Sequence, residues 1–391
     1  MSGTQTQAWE LKMGTNIPPV DFHGFVSQGL LYSTTYNYLA DNTTRGSLEF
    51  FDAGLNFSMN PFPRTRIAAQ GFMYDVGNVG QYDPFLDYAL LEYTFGDYLG
   101  ARGGKVRRPS GIYNQIQDLD VAYPWVLLPQ GMYDVRWRDF SCSLNGGELF
   151  GEVPLKKAGS FSYEPYAGII NMKDNGGVAR FIENGLPPAP IGSLDSIDSA
   201  TIFGTQFWYN TPLEGLRAGA SFGYMENFGY TTTIVPPYGP GQIHSSGNIF
   251  FQQYSLEYLW RAWTFQVEYY TYNFTGHNYV GGVQVGDTGN VPETWYVAVG
   301  YRFNKYVEAG SYYTQYYANM HNRDGSGTST PSDSFQNDLA LACALHPTDW
   351  SIFKVEGHIL HGTALLQDDA ANPVRGSGGW FMLAVKATLY F

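Results

Sequence analysis

Trp380-Phe381-Met382-Leu383-Ala384-Val385-Lys386-Ala387-Thr388-Leu389-Tyr390-Phe391 ends the chain, and its alternation decides the fold. In an extended strand, successive side chains point to opposite faces. Phe381, Leu383, Val385, Ala387, Leu389 and Phe391 then share one face, and Lys386, Thr388 and Tyr390 share the other. A charge on a lipid-contacting face costs up to about 2–4 kcal/mol at the bilayer midplane. Placing Lys386 on the polar face avoids that cost.

The same period of two recurs upstream. Trp263, Phe265, Val267 and Tyr269 oppose Thr264, Gln266 and Glu268. Phe353, Val355, Gly357 and Ile359 oppose Lys354, Glu356 and His358. A helix would scatter both sets. No run approaches the roughly 20 apolar residues of a membrane helix, and aromatics are 17% of the chain while charged residues are 15%. Two classes remain: a soluble all-β protein, and a membrane barrel that hides its apolar residues by alternation.

The connections discriminate between them. Short ones such as Asn60-Pro61-Phe62-Pro63, Trp260-Arg261 and His346-Pro347-Thr348 alternate with long ones at residues 173–197, 229–247, 275–290, 319–334 and 362–376. Outer-membrane barrels show that asymmetry, with short periplasmic turns and long outer loops. Aromatics gather at strand ends, as at Tyr312-Tyr313 and Tyr316-Tyr317, where interfacial girdles form. No repeat period supports a propeller or solenoid.

The expected fold is therefore all-β, a transmembrane antiparallel barrel of about sixteen strands. The strands are predicted to start near Asp21, Arg45, Arg64, Pro84, Tyr98, Met132, Ser160, Asp198, Gly215, Asn248, Ala262, Val291, Tyr306, Phe335, Trp350 and Ser377. Residues 1–20 are expected to form a periplasmic N-terminal segment and residues 21–391 a single barrel domain. The chain opens Met1-Ser2-Gly3 without an apolar export segment, which suggests a processed form.

A net charge of −13 argues against nucleic-acid binding. Cys142 and Cys343 form no metal or haem motif. His358 and His361 fall on opposite faces of a strand, a poor arrangement for a shared metal. Cys343 falls on the apolar face. No nucleophile motif such as Gly-x-Ser-x-Gly appears. Neither an enzyme nor a cofactor or metal is expected, although Asp368 and Asp369 could hold a Ca²⁺ that bridges lipopolysaccharide.

The segment after Arg108 differs from the other long loops. Ile112, Ile116, Leu119, Val121, Trp125 and Leu128 are more apolar than an outer loop tolerates. Folding residues 108–131 inward would bury them. Here the chain resembles the general porins of Gram-negative bacteria. The resemblance rests on Phe22-His23-Gly24-Phe25-Val26-Ser27-Gln28-Gly29, on Gly104-Lys105-Val106-Arg107-Arg108-Pro109-Ser110-Gly111, and on Leu127-Leu128-Pro129-Gln130-Gly131-Met132-Tyr133. The terminal Phe391 also resembles the outer-membrane assembly signature.

The resemblance implies an inward third loop that constricts the pore, and a homotrimer. It also implies a basic wall of Arg66, Arg102, Arg136 and Arg138, with Lys105 beside it, facing Asp118 and Asp120 across the lumen. Alternation puts Val135 and Trp137 toward lipid and both arginines inward. Gly103-Gly104 is expected to form a bulge near Lys105. A plainer reading stays open, in which these arginines pair locally with loop carboxylates and only pin the loop.

Two functions follow from the barrel. The first is passive diffusion of ions and small hydrophilic solutes through an outer-membrane pore, in contact with lipid and lipopolysaccharide. The second is a structural sheath around a partner such as an electron-transfer protein. A sheath needs an open lumen, so the position of residues 108–131 separates the two.

Overall fold

The computed structural model describes residues 9–11, 18–328, 330–366, 371–376 and 378–391. Its strands form one antiparallel sheet that closes on itself, with sixteen of them making the wall. They are β1 (Val20–Ser33), β2 (Phe50–Phe62), β3 (Thr65–Val76), β4 (Phe85–Gly96), β5 (Leu99–Arg107) and β6 (Ser143–Pro154). Next come β7 (Ser160–Ile170), β8 (Ala200–Asn210), β9 (Leu216–Ile234), β10 (Gly241–Trp260) and β11 (Trp263–Val280). The last five are β12 (Glu293–Arg302), β13 (Val307–Tyr317), β14 (Phe335–Thr348), β15 (Ser351–Gly362) and β16 (Gly379–Tyr390). Three shorter strands lie outside the wall: Trp9–Leu11 on β1, Gly192–Ile197 on β9 and Val283–Asn290 on β11.

The terminal strand closes the ring. β16 pairs with β1 from Met382↔Ser33 to Tyr390↔Phe25. Gly24 N–H donates to the Phe391 carbonyl (3.2 Å), and Phe391 N–H donates to Gly24 (3.0 Å). A side chain at Gly24 would sit 2.6 Å from the Phe391 ring, so only glycine lets the terminal aromatic lie flat on the seam.

The outer face is apolar, as alternation requires. Val267, Val297, Leu341 and Ile359 point out and are exposed, while Glu268, Tyr296, Ala340 and Leu360 point in and are buried. Trp260, Phe303, Tyr306 and Trp350 ring the short-turn end. Cys343 is exposed on the outer face, and both cysteines are free thiols.

Three expectations need correction. No strand starts at Met132: β6 begins at Ser143, and the third long loop spans residues 108–142. Val135–Trp137 forms a 3-10 turn whose Asp134 side chain accepts from the Arg136 N–H, and α1 (Arg138–Ser141) follows it. Val135 and Trp137 therefore pack inside the protein, not toward lipid. Second, much of residues 229–247 and 275–290 is strand. β9 and β10 pair up to Ile234↔Gly241, and β11 continues to Val280 before turning into Val283–Asn290. Third, Gly103 and Gly104 pair in register with both neighbouring strands, without a bulge. Asp368 and Asp369 lie outside the described residues.

Candidate functional site: the loop across the lumen

Residues 108–142 bond to inward-facing side chains on strands all round the wall. Gln206 on β8 donates to the Gly111 carbonyl (2.8 Å). Gly111 N–H donates to Ser221 on β9 (3.2 Å). Tyr113 donates to Gln266 on β11 (2.5 Å), and Gln115 donates to Glu164 on β7 (3.1 Å). Tyr312 on β13 donates to the Leu127 carbonyl (3.2 Å). A segment that reaches all these strands at once crosses the interior. A second element, α2 (Gly177–Asn184), stacks on it through Trp137 and Phe181, ring centroids 5.2 Å apart.

Four polar clusters hold the loop. Lys354 and Lys386 are directly opposite on β15 and β16. Like charges so placed repel. The loop inserts Asp120 between them, 3.3 Å from Lys354 Nζ and 3.0 Å from Lys386 Nζ. Asp52 adds a second carboxylate 2.7 Å from Lys386, and Thr388 donates to Asp120 (2.6 Å). The two ammonium groups hold the Asp120 carboxyl well below the usual carboxylate range, against the opposing pull of burial.

The second cluster joins Arg107 and Arg138 to Asp87 and Asp118. Arg107 spans both carboxylates (2.5 Å to Asp87, 2.6 Å to Asp118), and Arg138 lies 2.8 Å from Asp87. Gln70 donates to Asp118 (2.6 Å). The arginines keep Asp118 ionised although it is buried, its carboxyl also well below the usual range.

The third cluster centres on Glu268, which has no exposed surface. It accepts from Tyr133 (2.5 Å), Tyr296 (2.7 Å), Ser255 (2.5 Å), the Ile112 N–H (3.0 Å) and Gln253 (3.2 Å). The entry and exit of the loop are thereby tied to one carboxylate. In the fourth cluster Glu356 accepts from the Val126 and Leu127 N–H groups, beside an Asp338–His358 pair (2.9 Å).

The anticipated basic wall is divided among different partners. Arg138 is a loop residue that meets Asp87 and, at 4.0 Å, Asp118. Arg136, also in the loop, pairs with Asp134 of the same loop (2.6 Å). Lys105 donates to the Leu86 carbonyl (2.6 Å). Arg66 and Arg102 sit elsewhere, in a cross-strand row Arg66↔Glu92↔Arg102↔Glu148 of alternating sign. Arg102 is 3.3 Å from Glu92 and 3.7 Å from Glu148, and Arg66 is exposed. Asp118 and Asp120 are brought to cations, but Asp120 faces Lys354 and Lys386 instead of arginines. Local pairing that pins the loop describes Arg136 and Arg138. The inward faces of Lys354, Glu356 and Glu268 follow from alternation; their loop partners have no sequence signal.

No family model matches the chain, and no curated protein does. Solved structures do. The outer-membrane-expressed OmpT of Vibrio cholerae is 13% identical, with TM-score 0.58 over 97% of this chain and 99% of that one. OmpF of Salmonella typhi, in complex with daunomycin, is 12% identical, with TM-score 0.58 over 98% and 100%. The outer membrane channel DcaP of Acinetobacter baumannii is 9% identical, with TM-score 0.54 over 97% and 99%. The fold is the porin-type barrel of the bacterial outer membrane. Short turns then face the periplasm and long loops face out. The Arg66–Glu148 row lies on the periplasmic side of the porin-type lumen, and the four clusters lie deeper within it.

Proposed function

We propose that the chain is a channel, not an enzyme, for passive diffusion of ions and small hydrophilic solutes, with residues 108–142 as its constriction. One observation carries this: charged side chains face a lumen that a polar-anchored loop narrows from within. Sixteen strands enclose an aqueous space unless something fills it. At the loop, Glu268, Glu356, Lys354 and His358 are at most 2% exposed, so loop and not water covers the wall there. On this reading solutes pass beside the loop, and Arg66 and Arg102 face the lumen nearer the short turns. Two of the four clusters balance two cations against two carboxylates. Glu268, by contrast, is held by neutral donors, and Asp338 and Glu356 share one histidine. Carboxylates at the loop level therefore act together with Arg66 and Arg102 on ion preference. A sheath needs the space that the loop occupies, which counts against that alternative.

Purified protein in a planar bilayer is expected to give stepwise ohmic currents of small unit size. A silent bilayer with heat-modifiable, folded protein overturns the reading.

Lipid and lipopolysaccharide are the proposed contacts of the outer face. A homotrimer is the proposed assembly. A structural neighbour, OmpT of Vibrio cholerae, has been solved in a trimer form. On β5, the small residues Ala101 and Gly103 face outward, which permits close packing of copies. Cross-linking of native membranes should trap trimers, and monomer alone would refute the assembly.

A further inference from the structure

Arg107, Arg136 and Arg138 each hold a carboxylate. Arg108, next to them, does not. It is 6% exposed, and among the described residues its guanidinium has neither an ion pair nor a hydrogen bond, with Nε buried and unpartnered. It stacks on Phe251 (5.4 Å to the ring centroid), and its charge reaches the phenols of Tyr166 and Tyr270. A buried cation without a counter-charge is costly. Aromatic faces offset only part of that cost.

The wall beside Arg108 is aromatic up to the outer mouth. A register shift in β9 between Met225 and Phe228 keeps Phe228 and Tyr230 inward beyond the bulge. Rings then follow one another: Tyr230–Phe228 (6.2 Å), Phe228–Phe140 (6.2 Å), Phe140–Phe251 (6.0 Å), Phe251–Tyr272 (6.1 Å) and Tyr272–Tyr270 (6.1 Å). Phe228, Tyr270, Tyr272 and Phe274 keep part of their surface open. At the upper end is a cavity of about 490 Å³, whose lining includes Phe181 of α2, Tyr230, Ile234, Ile243, Leu366 and Arg375, the last 3.6 Å from Asp333. That size suits a small organic molecule.

We infer that the β9–β11 wall binds a ring-bearing organic anion, which enters at the Phe181 cavity, lays its ring on the aromatic lane and sets its anionic group on Arg108. The transport role rests on the channel reading; the binding does not. An aromatic carboxylate and a sugar acid share the required chemistry.

The probes are benzoate, glucuronate, acetate and benzyl alcohol, with equilibrium binding measured on detergent-solubilised protein by intrinsic fluorescence. The same probes are added to open channels in bilayers. Benzoate or glucuronate should bind at least tenfold more tightly than acetate and should interrupt the current. Arg108→Gln should weaken the ring anion about tenfold and leave benzyl alcohol unchanged. Arg108→Lys should retain part of the binding, and it serves as the test if Arg108→Gln does not fold. Preference for benzoate over glucuronate names an aromatic acid, and the reverse names a sugar acid. Ring anions that bind no better than acetate, or equally well to Arg108→Gln, overturn the inference even where conductance is normal. Arg108-dependent binding with a silent bilayer keeps the site and removes the channel reading.

Discussion

Glu268→Ala is expected to raise unit conductance several-fold while the barrel stays folded. The substitution removes the acceptor for Tyr133, Tyr296 and Ser255, and leaves Gln253 and the Ile112 N–H only the Tyr133 hydroxyl nearby. Each buried donor left unpaired costs about 1–3 kcal/mol. Ile112 and Tyr133 belong to the loop, so part of that cost is relieved if its two ends leave the wall and find water. The strands carrying Glu268 and Ser255 keep their backbone ladder, Glu268↔Ser255 among the pairs, so the wall has no reason to open. Proteinase K should cut residues 108–142 in the variant and not in the parent. Val267→Ala is the matched control: Val267 is the next residue, faces outward and is 43% exposed, so conductance should hold. Equal conductance and equal protease resistance in Glu268→Ala would show that the third loop is held elsewhere, by Asp120 and Asp118.

The terminal strand shows how far sequence reasoning reaches. Alternation put Lys386 opposite Phe381 and Leu383, and Lys386 does face the lumen, 92% covered. What holds it could not be read, because Asp120 lies far off in sequence and is delivered by a loop. The Lys354–Asp120 contact spans 234 positions. Val135-Arg136-Trp137-Arg138 is the opposite case. Four alternating residues fit a strand as well as a turn. The Asp134 side chain decides for the turn by accepting from the Arg136 N–H at 2.9 Å, so the inward aim of the two arginines comes from a loop and not from a pleat. The stretch 229–247 misleads for another reason. Its glycines and prolines mark it as loop, yet Phe228 and Tyr230 continue the inward row once the bulge at residues 225–228 restores the parity. Strand faces were legible; partners across the lumen were not, since they depend on where a loop comes to rest.

Acidification is expected to tighten the contact between α1 and α2 through Asp139. This carboxylate on α1 is buried against Gly176, where a side chain would lie 1.8 Å from Oδ2, so glycine is what admits it. The amides of Lys173, ahead of α2, and of Gly177, its first residue, point toward it, with no well-formed hydrogen bond. Lys173 supplies the nearby positive charge, with Tyr74 also within electrostatic reach. Burial outweighs the amides and Lys173 and pushes the carboxyl from 3.8 up to about 6. The sign follows from linkage. The docked form prefers the neutral acid, so its contribution is full below about 4 and is lost as pH rises through about 6. A difference of this size corresponds to about 3 kcal/mol between the two protonation states. From pH 7.5 to pH 5 the α2–α1 contact should close more firmly, with fewer current fluctuations and slower proteolysis of residues 171–199. Asp139→Asn, with a neutral side chain of the same shape, should behave at pH 7.5 as the parent does at pH 5. Other buried carboxylates titrate as well, so the decisive quantity is the difference between parent and variant. If Asp139→Asn shows the parent's full pH response, the contact between the two helices is not what acid tightens.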